Sequence, residues 1–146
     1  MRAGLIKNSY SQIGAKASIS ESSPEQITLL LLQRAYSSIH GCILSIETLN
    51  DEAANWEDRI PVVENYHKNI SKALQILTAL REYLDYENGG SLAEQLATTY
   101  NAILSGLLKA SQQKNAGELT KLLNAVGELK DAWSVVVEQS PHLELA

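Results

Sequence analysis

SPEQITLLLLQRAYSSIHGCILSI, residues 23–46, reads as one amphipathic helix with its start signal attached. Ser23 has the side chain of a helix cap, and Pro24 fits the first helical position, where no N–H is needed. Glu25 meets the positive end of the helix dipole, and Gln26, three residues after the cap, completes a capping box. Beyond this start, Leu29, Leu32, Tyr36, Ile39, Ile43 and Ile46 recur at spacings of three and four, the period of a single helical face. The run from Ile27 to Leu32 is apolar almost all round, so this end of the helix needs cover on several sides.

The same grammar repeats downstream. Residues 49–60 read as a connection with room for a helical turn of its own, and Pro61 as the first-turn proline of a second helix. Along that helix Val63, Tyr66, Ile70, Leu74, Leu77 and Leu84 form one stripe, and Ile76, Leu80 and Tyr83 form an adjacent one. Two stripes exceed the arc that one neighbour covers, so the helix either lies between two partners in a bundle or keeps a groove open for another chain. Asn88-Gly89-Gly90 supplies the backbone freedom that ends a helix and turns the chain. Ser91 and Glu94 then have the spacing of a second capping box, and Leu92, Leu96, Tyr100, Ile103, Leu107 and Ala110 mark a third helix. After Gln112-Gln113-Lys114, Asn115 and Glu118 repeat the start signal. Leu119, Leu122, Val126, Leu129, Trp133 and Val136 give the fourth stripe, and Ser140-Pro141 stops it.

No segment alternates apolar and polar residues with strand period. The expected fold is therefore all-α, an antiparallel four-helix bundle over residues 23–146 preceded by an N-terminal arm, residues 1–22. The last two connections are short and favour antiparallel neighbours; the first is long enough to cross over. The arm carries isolated Leu5, Ile6, Tyr10 and Ile13 among Ser, Gly, Lys and Asn, and no helical face persists in it.

Composition narrows the function. A chain of 146 residues suits one domain and buries roughly 68–70% of its unfolded surface, so it folds without disulfide or metal. Six Tyr, two Trp and no Phe leave the core to aliphatic side chains. The net charge of −5, with Lys and Arg scattered singly, argues against nucleic acid and against a basic membrane-binding stripe. The start lacks the apolar core of a signal peptide and no uncharged apolar run is long enough for membrane insertion, so a cytoplasmic location is expected. The single cysteine, Cys42, falls within an apolar helical pattern and reads as a small core residue.

No catalytic, metal or cofactor constellation emerges. His40, His67 and His142 are far apart, and Glu64-x-x-His67 is one half of a bundle di-metal motif whose other half is missing. Gly89-Gly90 precedes a helix, but no Lys follows at phosphate-loop spacing. The core stripes hold almost no titratable residue for burial to tune. The chain therefore reads as a non-enzyme that holds another protein, itself a monomer or weak dimer.

The ordered motifs resemble one family. The arm with Tyr10 leads into Ser23-Pro24-Glu25-Gln26, and the second helix carries residues 70–77, ISKALQIL. Leu84-Asp85-Tyr86-Glu87-Asn88-Gly89-Gly90 follows, then Leu96 and Tyr100, and near the end Val126-x-x-Leu129-Lys130-x-Ala132-Trp133. In this order and spacing they are similar to the flagellin export chaperones, the FliS family, along nearly the whole chain. The departures are Tyr83, where the family usually has Ser, residues 31–35, LLQRA, in place of a Leu-Tyr-acidic-Gly run, and a longer stretch around Trp56. They leave the fold intact and bear on which client is bound, as in a diverged paralogue. The resemblance implies a cytosolic export chaperone that binds the disordered C-terminal segment of flagellin, blocks premature polymerisation and keeps it competent for flagellar type III export. The alternative is a helical-bundle adaptor for another secretion or flagellar export protein. Ile76, Leu80, Tyr83, Leu96 and Tyr100 are the expected client-binding groove, and Tyr10 and Ile13 the expected anchors of an N-terminal lid.

Overall fold

A computed structural model describes residues 23–51 and 55–139. Four helices follow in order: α1 (Pro24–Leu49), α2 (Trp56–Glu82), α3 (Tyr86–Gln113) and α4 (Ala116–Glu138). The expected four-helix, all-α architecture holds over these residues. The N-terminal arm, with Tyr10 and Ile13, lies outside them.

Two of the starts follow the local chemistry as read. Ser23 Oγ accepts from Gln26 N at 3.2 Å and Gln26 Oε1 accepts from Ser23 N at 2.9 Å, the complete capping box. Asn115 Oδ1 accepts from Glu118 N at 3.1 Å and caps α4, just after Lys114 closes α3 in left-handed backbone.

The other two differ from expectation. α2 begins at Trp56, so Pro61 stands inside the helix rather than in its first turn. Glu57 and Asp58 in the first turn favour this earlier start, and Asp58 N closes a tight turn on Asn55 O at 3.1 Å. α1 and α2 are accordingly packed neighbours rather than helices joined by a crossover, and Arg59 Nη2 donates to Asp51 O at 3.1 Å. α3 is started by Asp85, whose carboxylate accepts from Asn88 N at 3.2 Å, rather than by Ser91. A single turn follows, then a kink at Gly90 with φ 51° and ψ −127°, a backbone that side chains resist.

α1 packs on α2 and α4, and α3 closes the ring by packing on the same two helices. Neighbours run antiparallel: Tyr66 near the start of α2 donates from its hydroxyl to Ser111 O near the end of α3 at 2.9 Å, while Arg81 at the other end of α2 donates to Asn101 Oδ1 at 2.9 Å. α1 and α2 approach closely because small residues face the seam. A methyl group at Gly41 would sit 2.6 Å from Asn69 Nδ2, and the Cys42 thiol donates to Tyr66 O at 3.7 Å. By length and composition α1 is apolar enough to cross a membrane, yet Ile27, Leu31, Leu32, Ala35 and Ile39 are all buried within the bundle, where α1 acts as its core helix.

The Tyr66 bond spans two helices that share few other polar ties. Tyr66→Phe is expected to lower stability by about 1 kcal/mol, because the bond between α2 and Ser111 O is lost while the ring still fills the core. Urea denaturation at neutral pH measures this.

Candidate functional site

The bundle does not close evenly at both ends. α2 stops at Glu82 and α3 bends at Gly90, so the chain ends of all four helices meet around a cavity of about 480 Å³. Pro24, Glu25 and Thr28 of α1 form one wall, and Leu80, Tyr83 and Leu84 come from the end of α2. Leu92, Ala93, Leu96 and Tyr100 of α3 form the opposite wall, with Trp133 of α4 beside them. Most of this lining is carbon; its polar side chains are Glu25, whose Oε2 is buried, Thr28, Asp85 and Asn88.

Tyr100 is 1% exposed, and burial pushes its hydroxyl up to about 12; a hydrogen bond with Trp133, whose indole can only donate, acts in the opposite direction. Leu92 stands at the mouth, 58% exposed. It falls on the core stripe of α3 by period, but it lies two residues past the Gly90 kink, where the facing helix has already ended. Downstream on the same stripe Ile103, Leu107 and Ala110 are buried as expected. Val135 and Val136, near the end of α4, add further exposed apolar surface.

Four of the five groove residues nominated from sequence line this one cavity: Leu80, Tyr83, Leu96 and Tyr100. Ile76 does not. It is fully buried in the main core, because α2 lies between α1 and α3 and both of its apolar stripes are covered over that length. Leu80 and Tyr100 are themselves almost wholly buried and form the floor, whereas Tyr83 and Leu96 are half-buried on the walls. Leu92, Leu84 and Trp133 belong to the lining as well. Periodicity had placed Leu92 and Trp133 in the core stripes, and only the early end of α2 reveals the opening above them.

Among the described residues no three His, Cys, Asp or Glu side chains gather to hold a metal. His40 and His67 are exposed, and His67 rests edge-on against Tyr66 at 5.4 Å. Cys42 is buried and desolvation raises its thiol to about 12, which keeps it protonated and unreactive at neutral pH.

Cys42 and Tyr100 are acids whose folded values lie above their ordinary values of 9.0 and 10.0. Their full contribution is present below those unfolded values. As pH rises the unfolded chain gives up its protons first, so stability is lost between about pH 9 and pH 12. The urea midpoint measured against pH is expected to fall across this window, and Cys42→Ala is expected to move the onset up to about pH 10, where tyrosine ionisation begins.

The Flagellar protein FliS family model matches residues 6–140 of the chain. Three relatives are similar at low identity over most of their length. The flagellar secretion chaperone FliS of Vibrio cholerae is 25% identical over 146 residues, covering 100% of this chain and 97% of the relative. That of Salmonella typhimurium is 25% identical over 136 residues, covering 92% of each. The flagellar secretion chaperone FliSB of Pseudomonas aeruginosa is 27% identical over 126 residues, covering 85% of this chain and 89% of the relative.

Proposed function

The chain belongs to the FliS family of flagellar proteins, and on that premise we propose that it is a cytosolic export chaperone whose client is the disordered C-terminal segment of flagellin. The observation that carries the reading is the open apolar cavity between the helix ends, with Leu92 at its mouth and Tyr100 at its floor. A disordered segment gains little from a flat polar surface. It needs apolar pockets that repay the entropy lost when it becomes ordered. A helix of the client laid across α3 and the end of α4 places its apolar side chains against Leu92, Leu96 and Trp133 and buries them with it. The same burial removes from water the client surface that drives filament growth, which keeps the client monomeric and exportable.

The N-terminal arm joins the bundle at Ser23, and the next residue, Pro24, already lines the cavity. The arm therefore begins at the rim, and Tyr10 and Ile13 are the side chains we assign to covering the mouth while no client is bound. Client and arm then compete for one surface, so deleting residues 1–22 is expected to tighten client binding.

The test is calorimetric titration of a flagellin C-terminal segment into the purified full chain. One-to-one binding with a large negative heat-capacity change supports the reading, because such a change marks burial of apolar surface coupled to folding. No binding, either to the full chain or to a folded chain lacking residues 1–22, contradicts it and leaves the bundle in search of another flagellar partner.

A further inference from the structure

A second recess lies on another side of α1 from the apolar cavity and differs from it in chemistry. Gln33, Arg34 and Ser37 of α1 face Asn69 and Lys72 of α2 across a cleft of about 460 Å³. It is lined by two cations, by amides, by hydroxyls and by the side chain of Leu30, and by no carboxylate. Arg34 Nε is buried and has no acceptor among the described residues, and neither Arg34 nor Lys72 forms an ion pair with any of them. A buried N–H without an acceptor is costly to keep. Arg34 and Lys72 bring two cations to one recess, and the guanidinium fork and the ammonium together suit the two oxygens of a carboxylate.

The cleft has a direction. Farther along the same seam Leu44, Pro61 and Val62, with Ser45, Thr48 and Asn65 beside them, line a further and more apolar recess of about 500 Å³, and Leu44 there is half-exposed. From Leu30 to Thr48 the seam therefore passes from cationic to apolar over about 27 Å of helix. The whole chain carries a charge of −5, which repels an extended polyanion but tolerates one carboxylate among apolar neighbours.

We propose that the Arg34–Lys72 cleft is a second client contact that receives the carboxylate of an Asp or Glu in the flagellin segment, with apolar side chains of the same segment seated toward Leu44 and Val62. The inference rests on the flagellin reading above. It makes client binding a two-site clasp, one site apolar at the helix ends and one charge-specific on the α1–α2 seam.

The flagellin C-terminal segment is titrated into the full chain and into the Arg34→Gln/Lys72→Gln variant, at low and at high salt. Binding to the variant is expected to be about tenfold weaker at low salt, with most of the salt dependence gone. A second segment, with its Asp and Glu changed to Asn and Gln, is expected to bind the natural chain as weakly as the variant does and to lose little more on the variant, the coupling that identifies direct partners. This segment-side change gives a reading even if the double variant fails to fold. Equal affinity and equal salt dependence for both proteins, or no effect of neutralising the segment, overturns the cleft and leaves the flagellin reading standing. Failure of the unmodified segment to bind the natural chain removes both.

Discussion

Leu92→Asp is expected to weaken binding of the flagellin segment by at least about 100-fold while the bundle remains folded. Leu92 is 58% exposed, so in the free protein it contributes little to the core. Once a client helix covers the cavity it becomes buried, and burying a leucine side chain contributes roughly 1.5–3 kcal/mol. The variant loses that term and must also desolvate a carboxylate among Leu96, Leu84 and Trp133, where no cation lines the cavity to meet it. In the free protein the new carboxylate stays hydrated and sits in the first turn after the kink of α3, where the dipole favours negative charge. Its thermal unfolding midpoint is therefore expected to stay near that of the natural chain, and calorimetry with the flagellin segment to register the loss.

Ile76→Ala is expected to do the reverse. Ile76 is 0% exposed and packs within the main core, where the walls collapse only in part around a missing side chain. Truncation of such a residue costs about 2–5 kcal/mol, a large share of the roughly 5–15 kcal/mol that holds a domain together. Urea denaturation is expected to show a lower midpoint with the same slope. The folded fraction is expected to bind the segment with unchanged affinity, since Ile76 lies outside the cavity. The two substitutions separate surface from core: a residue of the groove loses binding without stability, and a residue of the core loses stability without binding.

This contrast also marks what can be read from the sequence. Helix number, order and two of the four caps follow from short-range chemistry, because Ser23 with Gln26 and Asn115 with Glu118 satisfy backbone groups only a turn away. The start of α2 is less legible. Pro61 signals a first turn, but Glu57 and Asp58 carry the helix back to Trp56, whose indole is 68% exposed and marks no core stripe. The site is legible in its neighbourhood rather than in its residues. Leu80, Tyr83, Leu96 and Tyr100 are gathered at one end of the bundle, yet Ile76 and Leu92 exchange places between groove and core. Period tells which face of a helix is apolar; it does not tell where the neighbouring helix stops. The end of α2 at Glu82 and the positive φ of Gly90 decide that Leu92 is uncovered, and both are properties of three helices meeting rather than of one.

The polar cleft was illegible for a related reason. Arg34 and Lys72 are isolated cations in the sequence, and each alone reads as a solvated side chain. Only the close seam between α1 and α2, allowed by Gly41 against Asn69, sets them on one recess.

Site-specific photocrosslinking decides whether the flagellin segment occupies the cavity between the helix ends. A benzophenone amino acid is placed at position 92, or at position 108 as a control that is also about half-exposed on the far part of α3, and the full chain is irradiated with a saturating flagellin C-terminal segment. A covalent adduct from position 92 and little from position 108 is the predicted result. Adduct from position 108 without adduct from position 92, under conditions where the segment is bound, would place the client elsewhere on the bundle and contradict the account.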